Sequence, residues 1–448
     1  MALPASTNIL IVGCGPAGLA CAVTLAAKGH KDITIVDARP GGRTLSRAIV
    51  IHAQTIEALD TVGVAEKINA RGVKAKRMVV RWQQTRLIKA NFATLSERTR
   101  FPWALLISQS DTEDILEERL NELGVHVHRP YKATEMESVQ GGLLVKFESG
   151  ETIKARYVVG ADGNRSTIRA LAGIPFRDPK SGKNPHAEVV KPTDTVKKLE
   201  KKLGKELVVA DVHLSGHIPP TVNPTDLGVF LSPLQFLLLV PLPPAKDDPE
   251  QRPIYRMSCP VEPGSKEVTL TYLQKVLNSA LGLPDEKTPI VDTLRWASLF
   301  RVKSAVADRF HQRMGDGMVA LCGDAGHVHS PAGGQGMNLG IRDAIQLGRN
   351  LSDILKRDND PNTTPSASKA YADKKLEQYT AERRKLAVGV IKITKFMTWA
   401  TGLEAPPAQR ARNAFYWTIG RGSVVSKKFT LRLSGLQAAE HENVPVVA

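Results

Sequence analysis

Nothing in this 448-residue chain is long and apolar enough to span a bilayer. Runs such as Ile9–Val12 and Phe236–Leu242 are strand-length, far short of the roughly twenty residues a spanning helix needs. No cleavable leader is expected, because Asn8–Gly13 reads as a buried strand running into a functional loop. Cysteine is scarce. The four thiols, Cys14, Cys21, Cys259 and Cys322, show no CxxC pair and no disulfide-like spacing, which points to a reducing, cytoplasmic compartment. There is no internal repeat, heptad pattern or long low-complexity segment, which excludes solenoids and coiled coils. Zinc-finger spacing and an aromatic RNA-binding signature are missing too. The net charge of +16 therefore reads as steering for small anions, and nucleic acid is not an expected partner.

What is present is ordinary globular composition, 42% apolar and 24% charged, in a chain too long for one core. Two lobes are expected. The positive charge is uneven: between Ala381 and Leu436 eleven Lys/Arg face two acids, Glu382 and Glu404. That segment also carries Phe396, Met397, Trp399, Phe415, Tyr416 and Trp417. A basic, aromatic helix can lie on a membrane surface, but a packed terminal helix pair with a solvated face is the favoured expectation.

The chain opens with a strand at Asn8–Val12, a helix at Ala17–Lys28 and a strand at Ile33–Val36 ending in Asp37, a βαβ unit of the doubly wound type. A helix at Ala53–Asp60 and a hairpin at Arg77–Trp82 and Arg86–Phe92 follow, then an amphipathic helix at Asp111–Leu123 with Asp111 and Thr112 as caps. Strands are expected near Val125–His128, Glu135–Val139, Leu143–Phe147 and Arg156–Val159. Beyond a lysine-rich connection, Leu207–Leu214, Gly228–Leu242 and Pro253–Cys259 cluster without intervening helices, as an antiparallel sheet does. A helix at Glu267–Leu281, a strand at Met318–Leu321 and a helix at Leu339–Leu355 close the pattern. The expected organisation is a first cofactor segment over residues 1–178, with a small hairpin at about 76–100 joining the second lobe. A β lobe over 179–300, a return segment over 301–390 and a helical region over 391–448 follow.

Three glycine-rich turns carry the chemistry. In Gly13-Cys14-Gly15-Pro16-Ala17-Gly18, Gly13 permits a tight turn, Gly15 lets backbone approach a pyrophosphate, and Gly18 lets helix pack on strand. Asp37 is placed for a ribose hydroxyl and disfavours a 2′-phosphate, which suits FAD or NAD. The second turn is Gly160-Ala161-Asp162-Gly163. The third starts at Gly323-Asp324-Ala325-Gly326-His327 and continues through Ser330-Pro331 to Gly333-Gly334-Gln335-Gly336-Met337-Asn338.

With these motifs in this order, the chain resembles the group A flavoprotein monooxygenases, the family of 4-hydroxybenzoate and phenol hydroxylases. The resemblance covers at least Ile9–Leu355, and Leu433-Ser434-Gly435-Leu436 is a familiar closing feature. It implies an α/β fold: a doubly wound, Rossmann-like FAD domain interrupted by a mostly antiparallel β-sheet substrate lobe, with a helical C-terminal tail. It implies FAD as cofactor, NADH or NADPH as co-substrate, and oxygen adding to the reduced flavin at C4a to hydroxylate a phenol or aryl carboxylate. Decarboxylative hydroxylation and a prenylated phenol are included. Residue by residue, it assigns Asp324 to the ribityl chain, and Pro331, Gly334, Gly336, Met337 and Asn338 to the isoalloxazine turn. Asp162 falls to the FAD site and NAD(P)H approach, Arg47 to the cofactor, and Gln109 to the diphosphate and ribityl region.

The chain departs from the family pattern at Gln54-Thr55-Ile56-Glu57, where the family carries Arg at the first position, so a guanidinium is lost there. Ile49 stands where phenol hydroxylases place a substrate-deprotonating Asp, and no general base is assigned. His327 and His329 are expected to be structural, and His311 with them is not expected to hold a metal. Cys14 reads as filler, and Arg301 and Arg309 as either anion-binding or ion-paired. A halogenase or prenyl reductase would share the scaffold, but the halogenase Trp-x-Trp-x-Ile-Pro signature is missing. An escort protein would not need the intact Asp37, Asp324 and Gly333–Asn338 set.

Overall fold

Strands Ser6–Val12 and Ile33–Val36 are apolar and almost wholly buried, as parallel strands covered on both faces by helices must be. In the computed structural model, which describes residues 3–41, 48–185, 206–233, 235–245, 248–261, 267–403 and 405–436, they lie at the centre of an eight-stranded sheet. Its parallel strands run in the order Gly317–Leu321, Thr152–Gly160, Ser6–Val12, Ile33–Val36, Val127–His128. His311–Met314 pairs antiparallel at one edge, and the hairpin Ala133–Val139/Gly142–Phe147 hangs antiparallel on the early part of Thr152–Gly160. Helices Pro16–Ala27 and Gln335–Asp358 pack together very closely. A Cβ on Gly348 would fall 2.8 Å from Thr24 Cβ, so glycine is what permits that approach.

A second, seven-stranded sheet runs in the order Ile290–Arg301, Glu206–Ser215, Ile254–Pro260, Phe236–Leu242, Asp226–Leu231, Arg77–Trp82, Thr85–Asn91. All its pairings are antiparallel except that of Asp226–Leu231 with Arg77–Trp82. Side-chain alternation divides its two faces. Tyr255, Met257, Phe230 and Leu239 pack under the amphipathic helix Leu270–Leu281. Leu227, Leu231, Val240, Leu242 and Ile254 face the other way, into a core shared with Ile49, Val50, Leu433 and Leu436. The last helices are Pro365–Thr401, Pro406–Ile419 and Ser423–Ser434. The result is an α/β fold with a doubly wound parallel sheet, a mostly antiparallel sheet and a helical C-terminal region.

Two local expectations need correction, and one element was not expected. The helix expected from Asp111 begins at Gln109, because Ser108 is the cap: its Oγ accepts the Asp111 backbone N–H at 3.0 Å. The run Gly228–Leu242 is a hairpin, not one strand. It turns where the Ser232 N–H and Oγ–H both donate to the Gln235 carbonyl. The twelve-residue edge strand Ile290–Arg301 was not foreseen. Arg47 and the lysines Lys197–Lys205 lie outside the described residues.

Candidate active site

Strand register brings the signature turns together. Val12 is aligned with Val36 on one side and Gly160 on the other, and Gly160 with Leu321. Four parallel strands therefore end in line, and each hands its next residues to one crevice: Asp37, Gly13, Asp162 and Asp324. That carboxyl-terminal edge is where doubly wound sheets bind nucleotides. Backbone bonds fasten the turns to one another, Gly13 N–H to Val36 O at 2.8 Å, Ala161 N–H to Val12 O at 2.8 Å and Cys322 N–H to Gly160 O at 3.1 Å.

Gly13 has φ +106°, and a Cβ there would sit 2.4 Å from the Ala161 oxygen. A Cβ on Gly18 would sit 1.8 Å from the Gly13 oxygen, whereas one on Gly15 would meet nothing nearer than Glu113 Oε1 at 4.0 Å. Gly13 and Gly18 are thus closed by protein, and Gly15 borders open space. Asp37 accepts the Cys14 N–H at 2.9 Å and the Arg39 N–H at 2.9 Å. Burial opposes its ionisation, but these N–H groups and the Arg39 guanidinium prevail and hold it below the usual carboxylate range. Burial, then the Asp37 carboxylate, push the Cys14 thiol up to about 12 against the pull of Arg129, which donates to its sulfur at 2.9 Å. At neutral pH Cys14 is a protonated thiol, not a nucleophile.

Asp162 is turned inward. It accepts the Ser166 hydroxyl, the Thr167 N–H at 2.7 Å and the Ile168 N–H at 3.1 Å, and so caps the short helix Thr167–Leu171. Burial raises its pKa, with those bonds only partly offsetting it. Arg169 ties this turn to the third one, donating to Asn164 O at 2.9 Å and Ala325 O at 2.8 Å. Asp324 is exposed between buried Gly323 and Ala325.

The third turn is braced from below. Asn338 Nδ2 donates to Val50 O at 2.8 Å and Gly334 O at 2.6 Å, while its Oδ1 accepts the His52 N–H at 2.7 Å. The Gln109 N–H donates to Ala48 O at 3.0 Å, its side-chain Oε1 accepts the Ala48 N–H at 3.4 Å, and its Nε2 donates to Glu113 at 2.9 Å. Gln54 accepts a bond from Arg342 on helix Gln335–Asp358. The guanidinium lost at position 54 is thus supplied from across the interface. Pro331 is exposed and Gly333, Gly334, Gly336 and Met337 are half-buried, so the turn's outer side is open.

His327 Nε2 meets Asp343 Oδ2 at 2.5 Å, and Arg383 Nε donates to Asp343 Oδ1 at 2.6 Å, all three side chains buried. Burial opposes the Asp343 charge, yet Arg383 and then His327 hold it below the usual range. His329 donates through Nδ1 to Ser330 O at 2.8 Å, and His52 through Nε2 to Gly333 O at 2.9 Å. Burial pulls each histidine down to about 4 despite those carbonyls. His52 was not singled out in the sequence; its only signal there is its place one residue before a helix. Arg301 is ion-paired with Glu206 at 2.7 Å, and His311 Nδ1 bonds Thr380.

The crevice fits a flavin nucleotide. Helices Pro16–Ala27 and Gln335–Asp358 both open onto it from glycine caps, Gly15 and Gly334, with no side-chain cap and no acid in the first turn. Their free N–H groups and positive dipole ends suit an anion. His52 Nδ1 and His329 Nε2 have no hydrogen-bond partner among the described residues, and in the neutral tautomers set by their other nitrogens both are acceptors. A ligand with phosphates, a polar ring edge and hydroxyl donors answers both requirements.

Fold and site thus define a dinucleotide-binding flavoprotein scaffold. The model of the FAD binding domain family matches residues 6–394. The bifunctional 12-dehydrotetracycline 5-monooxygenase/anhydrotetracycline 6-monooxygenase of Streptomyces rimosus is 30% identical over 406 residues, 87% of this chain and 68% of that protein. The para-nitrophenol 4-monooxygenase of a Pseudomonas species is 26% identical over 438 residues, 96% of each chain. The crystal structure of p-nitrophenol 4-monooxygenase from Pseudomonas putida DLL-E4 shares the fold at a TM-score of 0.76 and 22% identity, covering 97% of this chain and 99% of that one. The chain belongs to the FAD-dependent aromatic-hydroxylase family of flavoprotein monooxygenases, the group A enzymes.

Proposed function

We propose that the protein hydroxylates a phenolic or aryl-carboxylate small molecule, using FAD, NADH or NADPH, and oxygen. The observation that carries this reading is the shared ending of four parallel strands, which collects Gly13, Asp37, Asp162 and Asp324 at one crevice. In it, Gly15 lets the pyrophosphate approach the turn that Gly13 and Gly18 close, Asp37 takes the ribose, and Asp324 and Gln109 take the ribityl and diphosphate region. Arg47, outside the described residues, is assigned to the cofactor by the resemblance alone. Backbone from Pro331 to Asn338 lines the isoalloxazine, with Gly336 and Met337 offering N–H groups, the Gly334 N–H taken by Pro331 O at 3.0 Å and the Asn338 side chain spent on bracing the turn. Asp162 acts through the turn that it caps. FAD held by these residues would supply the hydride-accepting and oxygen-activating chemistry.

The chain's own work is to hold an aromatic ring and exclude water. The buried apolar side of the sheet, with Leu227, Leu231, Val240 and Leu242, reaches Val50, whose Cβ lies 3.3 Å from where a Cβ on Gly334 would be, so apolar packing runs up to that turn. An apolar boundary there suits a ring rather than a sugar or a peptide. With Ile49 at the family's base position, and His52 and His329 too weakly basic at about 4 to hold a phenol proton at neutral pH, the substrate's hydroxyl proton leaves to water or a more distant group. The nitrophenol and tetracycline relatives support an aromatic substrate. Its partners are that aromatic molecule and oxygen, with peripheral membrane contact through the basic C-terminal region as an independent proposal.

The test is an absorbance spectrum of the purified protein, then NADH and NADPH oxidation and oxygen uptake with a panel of phenols and hydroxybenzoates. Yellow protein whose oxidation rate rises with one aromatic ligand is expected. Colourless protein that fails to take up added FAD overturns the reading.

A further inference from the structure

The described residues hold four large aromatic side chains that are exposed, and all four lie near the C-terminus: Phe396 at 57%, Trp399 at 57%, Phe415 at 58% and Trp417 at 42%. Val424 and Val425 are exposed beside them, so six of the nine large exposed apolar residues fall in three consecutive helices. Singly scattered apolar residues need no explanation, but a concentration of this kind does.

Helical spacing puts these residues on outward faces. On Pro365–Thr401, Lys392, Phe396 and Trp399 recur at i, i+4 and i+7 and point out, while Ile391, Thr394 and Ala400 are buried. On Pro406–Ile419, Gln409 and Arg412 face inward, and Arg410, Phe415 and Trp417 face out. On Ser423–Ser434, Thr430, Leu433 and Ser434 are buried, and Val424, Val425, Lys427 and Lys428 are not. The last two helices both rest on strand Thr85–Asn91, with Ser426 Oγ donating to Lys89 O at 2.6 Å and Gly420 packed against the Leu87 backbone. Their free faces therefore look away from the sheet together.

Among the described residues the charge that these helices put on these faces is of one sign. Lys392, Arg410, Arg421, Lys427, Lys428 and Arg432 are all exposed, Arg421 lies 3.5 Å over the Trp417 ring, and the acid Glu97, from outside the three helices, stands 4.0 Å from Lys427. Aromatic and aliphatic side chains interleaved with lysine and arginine match an anionic lipid surface: rings enter the headgroup layer and cations meet the phosphates. No described helix is long and apolar enough to cross a membrane, so the contact is with the interface only. We propose that the outward faces of these three helices form a docking surface for an anionic membrane. The inference does not depend on which reaction the flavin site performs.

The experiment is co-sedimentation of the FAD-loaded full chain with phosphatidylcholine vesicles, either alone or with about one-third phosphatidylserine, at about 0.1 M salt. Tryptophan emission is recorded in parallel, and Phe415→Ser/Trp417→Ser is the test variant. Expected are binding to the anionic vesicles with a blue shift of emission, and at least about tenfold weaker binding for the variant. FAD content and NAD(P)H oxidation should stay unchanged, which reports that the variant is folded. Val424→Ser/Val425→Ser, at the other end of the surface, is a second variant should the first misfold. Three results overturn the proposal. These are a chain that stays in the supernatant; both variants binding as well as the parent, which is adsorption by net charge alone; or substitutions that halve the solution mass without vesicles, which means that a second copy covers the face.

Discussion

The two sheets solve different problems with different means. At the parallel sheet's edge, specificity is written in backbone: glycines at positive φ, carboxylates already bonded to N–H groups, and turns tied to one another by main-chain bonds. A side chain added at Gly13 or Gly18 has nowhere to go. The antiparallel sheet builds its cores by side-chain alternation, where a change of size at Leu227, Val240 or Leu242 costs packing but alters no turn. The nucleotide half is therefore fixed by backbone and informative, and the antiparallel half is fixed by packing and nearly mute about any ligand.

Substitutions should separate the two halves sharply. Gly18→Ala collides with the Gly13 oxygen and is expected to cost roughly 3–5 kcal/mol, read as lost thermal stability and lost FAD. Gly15→Ala meets only open space, so the melting temperature of the FAD-free protein should stay put while FAD uptake falls. Equal losses of stability in the two variants would break the distinction between a packed and a ligand-facing glycine. Asp343→Asn leaves the Arg383 guanidinium buried without its counter-charge, and a destabilisation of about 3–5 kcal/mol in urea melts is expected.

Acid tests the same half from another side. His52 and His329 titrate near 6.5 when unfolded and are held at about 4 in the fold. The unfolded chain thus binds more protons between those values. The stability that the neutral rings confer is complete above 6.5 and is lost as pH falls toward 4, on the order of 3 kcal/mol for each ring. Urea melts across that window check this, and His329→Gln should flatten the slope; an unchanged slope would show that the ring is not held neutral. The smallest effect is on the antiparallel side, where Leu238→Ala, only partly buried, should cost about 1 kcal/mol and leave FAD content alone while altering aromatic substrate KM.

The same division decides what could be read in advance. The glycine turns and the parallel strands feeding them are local and chemically constrained, so spacing exposed the first turn with Asp37, and the family resemblance supplied the roles of Asp162 and Asp324. Ile290–Arg301 stayed hidden because it is a half-exposed edge strand without clean alternation, and its partner Glu206–Ser215 lies far back in the chain. The hairpin turn at Ser232 was masked by an apolar run that continues on both sides of it. Ser108, Asp111 and Thr112 are all competent caps, and only the fold chose among them. Arg342 reaching Gln54, and Asn338 reaching Val50 and His52, join positions nearly three hundred residues apart, which no local pattern reports.

The register that lines up Val12, Gly160 and Leu321 also sets a timetable for the nascent chain. Strand Thr152–Gly160 is made early, and the hairpin before it protects only its first residues, Thr152 to Ala155. The apolar end, Tyr157 to Gly160, has Ser6–Val12 on one side, and its other side stays open until Gly317–Leu321 arrives. At about ten residues a second, that is a wait on the order of fifteen seconds, during which the second lobe is synthesised. The cofactor cannot shorten the wait, because half of its crevice has yet to leave the ribosome. The segment ending in Gly160 is thus the strand edge left longest without its partner, and misassembly during expression is expected to begin there.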